Sequence, residues 1–174
     1  MIAGKKVNLR LIKEKDLEFL RESRNRYKDK FFTQDYITKE QQRNWYEKYK
    51  SILGKDLMFM VLLKDETKIG TISIYNIDSA TRMADFGRML ILEEYQGEGY
   101  AKEAIELIID FAFNTLKLWK LKLSTFLDSA NVIALYSSCG FKAVPRPIMM
   151  MEATNSREPF KDPLTLPGWI EDEE

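Results

Sequence analysis

No histidine occurs among the 174 residues, and that absence removes several chemistries at once. Ser-His and Cys-His nucleophile pairs, histidine metal ligands and a histidine general base are all excluded, and no metal site is expected. Cysteine is nearly absent too. With Cys139 as the single thiol, no intramolecular disulfide can form, which suits a reducing cytoplasm. Its place just before Gly140 reads as a structural thiol at a helix end rather than a nucleophile. No apolar run is long enough to span a bilayer, and the N-terminus has no signal-peptide core. The expectation is a cytoplasmic protein with no membrane partner. Net charge is lacking as well: Lys and Arg number 27, and so do Asp and Glu. Bulk attraction to nucleic acid is therefore not indicated. The balance is uneven, because basic residues dominate from Lys5 to Lys50 while the chain ends Glu171-Asp172-Glu173-Glu174.

What is present is a globular composition, 45% apolar and 31% charged, in a chain long enough to bury one substantial core. Residues 7–11 alternate as a half-buried strand, and residues 13–25 read as a helix. Residues 28–37 connect it to a second helix. Thr38 caps that helix, with Glu40 and Gln41 in reach of the first free N–H groups, and it runs to about Ser51. Residues 57–63 and 68–75 form a hairpin around Lys64-Asp65-Glu66. Residues 120–126 alternate again. Asp128 or Ser129 then caps a helix carrying Asn131 and Tyr136, which Gly140 stops. Residues 141–151 return as a strand interrupted by Pro145 and Pro147, and all five prolines lie from Pro145 onward. This order predicts an α/β layer sandwich around a mixed sheet. The domain is expected over residues 1–151, followed by a proline-containing acidic extension over residues 152–174.

The most informative stretch is residues 83–113. A strand-like run over residues 84–92 meets Gln96-Gly97-Glu98-Gly99, and a helical pattern starts at about Tyr100. On that helix Lys102, Glu106 and Asp110 recur at i, i+4 as one polar stripe on an otherwise apolar cylinder. Glycines let a ligand approach the main chain, and the free N–H groups opening the helix suit a phosphate or pyrophosphate. A plain strand-to-helix turn has the same local look. The six-residue glycine spacing of a dinucleotide fingerprint and the Gly-Lys-Ser/Thr of a P-loop are both missing. Gly87, inside the strand, marks a bulge or close backbone approach, or packing against a bulky neighbour.

Gln96, Gly99 and Ala101 resemble the Gln/Arg-x-x-Gly-x-Gly/Ala signature of the GNAT superfamily of N-acetyltransferases. A second block, Asn131-Val132-Ile133-Ala134-Leu135-Tyr136 followed by Gly140-Phe141, is similar to that family's second block, although Leu135-Tyr136 here follows Ala134 directly. The resemblance implies a mixed, mostly antiparallel central sheet with helices on both faces, and acetyl-CoA as acetyl donor. It further implies that Leu90, Ile91 and Leu92 offer main-chain groups to the pantetheine arm. The pyrophosphate would be held by Gly97, Glu98, Gly99, Tyr100, Ala101 and Lys102. Asn131, whose amide can donate and accept, falls at a pantetheine-binding position, though asparagine also caps helices. Tyr136 falls at the general-acid position, protonating the departing thiolate. Without histidine, a carboxylate is the default base, and Asp85 is the candidate; its bland alternative is an exposed carboxylate paired with Arg82 or Arg88.

The acceptor half carries less information. Glu22-Ser23-Arg24-Asn25, Phe31-Phe32-Thr33-Gln34, and Ile37 to Glu40 with Trp45 resemble the acceptor half of GNAT enzymes of nucleotide-linked 4-amino sugars, as in pseudaminic acid synthesis. Ser23 replaces a Trp of that pattern, and Gln42 stands near its histidine. The resemblance makes Arg24, Asn25, Phe32 and Trp45 the acceptor-binding candidates. Basic residues beside aromatics fit a diphosphate and a base, and a cationic polyamine is expected to fit this basic region less well. Protein N-terminal acetylation of the ribosomal-protein type, another small amine, and a non-catalytic acyl-CoA sensor remain the alternatives. A homodimer is compatible with the edge strands and the Met149-Met150-Met151 run.

Overall fold

The structure, a computed structural model, describes residues 1–125, 130–144 and 150–154. Among them eight strands form one sheet. They are β1 (Ile2–Ala3), β2 (Val7–Leu11), β3 (Asp56–Leu63), β4 (Lys68–Asp78), β5 (Met83–Ile91), β6 (Lys120–Ser124), β7 (Lys142–Val144) and β8 (Met150–Thr154). The spatial order is β1-β2-β3-β4-β5-β6-β8-β7. Every neighbouring pair is antiparallel except β5 and β6, which run parallel. Helices α1 (Leu17–Arg26) and α2 (Lys39–Ser51) separate β2 from β3, α3 (Tyr100–Asp110) forms the β5–β6 crossover, and α4 (Ala130–Ser138) follows β6. The mixed, mostly antiparallel sheet with helices on both faces is thus present.

Strand β3 shows why the layers form. After Asp56 its residues are apolar on both faces, so successive side chains serve different cores. Leu57, Phe59 and Val61 enter the large core with Ile72, Phe86, Ile105, Ile108 and Tyr136. Met58, Met60 and Leu62 enter a smaller core with Leu20 and Tyr49, against which Trp45 and Tyr46 pack. Helices α3 and α4 therefore cover one face, and α1 and α2 the other. Phe86 is 1% exposed, and truncating such a side chain to alanine typically costs about 3–5 kcal/mol.

Several boundaries differ from the sequence expectation. The first helix opens with a 3-10 turn at Glu14–Asp16 before α1 begins at Leu17, because the Asp16 carboxylate turns back to accept the Lys13 N–H at 2.8 Å. Thr38 does cap α2, and its reciprocal partner is Gln41. After Asp110 the third helix widens into one turn of π-helix, Phe111–Thr115, which keeps Phe111 edge-on to Phe59 at 5.7 Å. The final strand is two strands, β7 and β8, and β8 continues through Thr154, so the sheet runs past the expected boundary at residue 151. The proposed caps Asp128 and Ser129, both prolines of residues 145–149, and residues 155–174 lie outside the described residues.

Candidate active site

Strand β5 parts from its parallel neighbour after three rungs. Met83, Ala84 and Asp85 are in register with Lys120, Leu121 and Lys122. Beyond Asp85, β5 stays paired with β4 as far as Ile91, while β6 pairs with β8 on its other edge. The two strands diverge from Phe86 onward, and main-chain groups of β5 line the divergence. Leu90 and Ile91 lie there, opposite Thr71 and Gly70 of β4. Leu92 donates its N–H to the Ile69 carbonyl at 2.9 Å, so that donor is already engaged.

Where the divergence begins, the β4–β5 register slips by one residue between Ser73–Gly87 and Thr71–Leu90. Arg88 takes up the extra residue in the left-handed region, with φ 48, a conformation that costs a non-glycine residue about 1 kcal/mol or more. The bulge is held from both ends. Thr71 Oγ1 donates to the Arg88 carbonyl at 2.9 Å, and the Arg88 guanidinium makes two bonds to Asp56, at 2.6 and 2.8 Å. The guanidinium also lies 4.5 Å from the centre of the Tyr75 ring. Gly87 explains itself here: a Cβ on it would stand 3.0 Å from the Tyr75 hydroxyl oxygen.

The loop after β5 has the geometry of a phosphate cradle. Gln96 donates its side-chain amide to the Ile91 carbonyl at 2.8 Å, tying the loop to the strand end. Gly97 and Gly99 have φ 85 and 81, which favours glycine at both. Nothing lies within 4 Å of where a Cβ on Gly97 would be. Gly99 caps α3, leaving the N–H groups of Tyr100, Ala101 and Lys102 without intrahelical acceptors. Lys6 adds positive charge beside them: its ammonium donates to the Glu98 carbonyl at 2.8 Å, while Glu103 holds its main-chain N–H at 2.8 Å. The chain separation of 92 residues hides this contact from sequence reasoning. On α3, Lys102 faces Glu106 at 3.9 Å, as the polar stripe implies.

Tyr136 projects from α4 into the large core, edge-on to Phe86 at 5.6 Å and to Phe141 at 5.9 Å. Burial, then the nearby Cys139 thiol and Tyr75 phenol, push its hydroxyl up to about 12. The phenol is therefore protonated throughout the neutral range, as a general acid must be. Asn131 sits exposed in the first turn of α4. Cys139, half-buried, is pushed up chiefly by burial, against the direction an activated nucleophile needs.

Asp85 faces the opposite side of β5 from Phe86. It accepts from Asn76 Nδ2 at 2.7 Å and stands 3.6 Å from Lys122 Nζ. Neither arginine named in the sequence reading is its partner: Arg88 is held by Asp56, and Arg82 reaches the Lys117 carbonyl at 3.4 Å. Of the acceptor candidates, Asn25 uses its amide on the Ile37 main chain, donating at 2.9 Å and accepting at 2.8 Å. Trp45 stacks on Tyr49 at 5.4 Å beside the smaller core. Arg24 covers the Phe31 ring at 3.9 Å and donates to the Thr33 carbonyl. Phe32 is 62% exposed. The bulge lock of Arg88 and Asp56 escaped sequence reasoning, since no residue type announces a left-handed arginine.

Comparison with known proteins agrees with this geometry. The profile of the family described as Acetyltransferase (GNAT) domain matches residues 6–142. The spermidine N(1)-acetyltransferase of Escherichia coli K12 is 29% identical over 146 residues, covering 81% of this chain and 75% of that one. A putative ribosomal N-acetyltransferase of Bacillus subtilis, YdaF, is 27% identical over 165 residues, covering 87% and 81%. The solved Vibrio cholerae spermidine N-acetyltransferase in complex with CoA and spermine superposes with a TM-score of 0.81 at 23% identity, covering 88% of this chain and 98% of that one; at that identity the likeness speaks for the fold. With a family match over residues 6–142, most of its length, and a parallel strand pair that diverges beside a glycine loop opening a helix, the chain belongs to the GNAT acetyltransferases and is an acetyl-CoA-dependent N-acetyltransferase.

Proposed function

We propose that the acceptor is a small primary amine of the polyamine class. One observation carries this reading: Asp85, on the last rung before the strands diverge, is bonded to a residue of a cleft that further carboxylates line. Asn76, which holds Asp85, lines a cleft of about 430 Å³ together with Asp56, Asp78 and Lys55. A cationic amine in that cleft meets the Asp78 carboxylate and, past Asn76, Asp85 of β5, and opposite charge raises its local concentration. The similarity to spermidine N-acetyltransferases points the same way. The basic surface that argued against a polyamine is largely neutralised: Arg21 pairs with Glu18, Arg26 with Glu94 and Lys30 with Glu93.

In this reading Asp85 draws the ammonium and accepts its proton, directly or through water. The amine attacks the acetyl carbonyl, and Tyr136 gives its phenolic proton to the departing thiolate. Asp78→Asn and Asp85→Asn should each raise KM for spermidine, with KM for acetyl-CoA unmoved. Unchanged amine KM in both variants would contradict the reading. A nucleotide-linked amino sugar keeps one observation in its favour. Nη1 of Arg24 is buried without a hydrogen-bond partner, and burial depresses the guanidinium pKa; an acceptor phosphate would satisfy it. Arg24→Ala selectively weakening use of such a sugar would favour that acceptor instead.

A further inference from the structure

We propose that Asp56 is a positioning residue for acetyl transfer, acting two strands away through Arg88. Asp56 opens β3, opposite Tyr75 of β4, and is 6% exposed. Its carboxylate is gripped by both terminal nitrogens of Arg88, at 2.6 and 2.8 Å. That grip passes over the Tyr75 ring, and Tyr75 in turn lies against the bare backbone of Gly87. The four residues thus form one contiguous clamp, and Arg88 is its only member with a positive φ and a side chain.

The clamp stands at the place where geometry matters for the chemistry. Parallel pairing of β5 with β6 ends at Asp85, three residues before Arg88, so β6 does not support the bulge. Support comes from the β4 side through Thr71 and from β3 through Asp56. Rotating Arg88 out of the left-handed region would re-aim the peptide groups from Gly87 to Leu90, the part of β5 that faces the divergence. Bidentate pairing fixes the plane of the guanidinium as well as its distance, and lysine at position 88 could not reproduce that. Asp56 therefore sets the direction of main-chain groups that the acetyl thioester meets, without touching it.

The test separates clamp from mere ballast. Asp56→Asn should lower kcat on the order of 10–100-fold, the range that a displacement of about 1 Å can cause. KM for acetyl-CoA should rise by less than kcat falls, because the clamp reaches Leu90 but not the glycine cradle. Glycine adopts positive φ freely and alanine does not, so Arg88→Gly should keep several-fold more activity than Arg88→Ala. In the Arg88→Gly background, Asp56→Asn should add about a twofold loss or less, since there is no clamp left to break. Wild-type kcat in Asp56→Asn would overturn the proposal. So would equal kcat in the glycine and alanine variants, or a parallel loss of kcat and acetyl-CoA binding in all three. Should Asp56→Asn fail to fold, Arg88→Lys decides in its place: it keeps the charge but not the two-point grip on Asp56, and native kcat in it would overturn the proposal.

Discussion

Asp85 and Lys122 are partners on the last rung of the parallel β5–β6 pairing, with carboxylate and ammonium 3.6 Å apart. The carboxylate is thereby held at the point where the two strands part, with its second oxygen on Asn76. Asp85→Asn preserves shape and removes charge. If Asp85 takes the proton of the amine, kcat/KM for the amine should fall about 100-fold or more, with KM for acetyl-CoA unchanged. A rate and pH profile like the native enzyme's would remove Asp85 from the reaction.

Tyr136→Phe deletes only a hydroxyl from the large core. We expect kcat to drop about 100-fold or more while acetyl-CoA binding, read by calorimetry, stays near native. The pH dependence has a definite sign. A phenol raised from 10.0 to about 12 is protonated in both folded and unfolded chains below pH 10. Above that, the folded state keeps a proton that the unfolded state has lost, so stability falls as pH rises from 10 toward 12. The native enzyme should show this alkaline loss more strongly than Tyr136→Phe in thermal melts.

The cradle predictions concern binding. Gln96→Ala frees the Ile91 carbonyl, and Gly99→Ala forces a side chain into φ 81 against the Lys6 ammonium. Steady-state kinetics should show KM for acetyl-CoA raised about tenfold in each, the equivalent of about 1.4 kcal/mol, while KM for the amine holds. An unaltered acetyl-CoA KM in both would place the pyrophosphate elsewhere.

Asp16 governs acid stability. It is fully buried and bonds Arg10 at 2.9 Å, Lys68 at 2.6 Å and the Lys13 N–H at 2.8 Å. Burial pushes its carboxyl up, and those bonds more than offset it, leaving the group below its ordinary 3.8. Its stabilisation is therefore complete above that value and lost as pH falls through the depressed one. Asp16→Asn should lower stability at neutral pH by about 3 kcal/mol, the low end for breaking a buried pair because both cations keep access to water. It should also flatten the acid limb of a pH–melting curve.

What could be read from the sequence was local. Thr38 announces a cap, Gly97 and Gly99 announce a loop open to close approach, and the alternation of Val7–Leu11 announces a strand, because each depends on neighbours within a turn. Gly87 was legible as a bulge or close approach or as packing against a bulky neighbour; the structure shows the packing, names Tyr75 as the neighbour and puts the bulge beside it at Arg88. Contacts that close over long chain separations were not legible: Asp56 with Arg88, Lys6 with Glu98, Asp16 with Lys68. The acceptor half suffered most. Its arginines and lysines look like a basic surface until the structure brings carboxylates from α1 and from the start of the glycine loop to neutralise them.

The most direct test of the account is thiol release from acetyl-CoA in the presence of spermidine, with mass spectrometry of the amine product, for the native enzyme and Tyr136→Phe. The account predicts stoichiometric thiol and mono-acetylated spermidine from the native enzyme, and a rate about 100-fold lower from the variant. Turnover with a nucleotide-linked amino sugar or an N-terminal peptide but not with spermidine, or equal rates from both proteins, would contradict it.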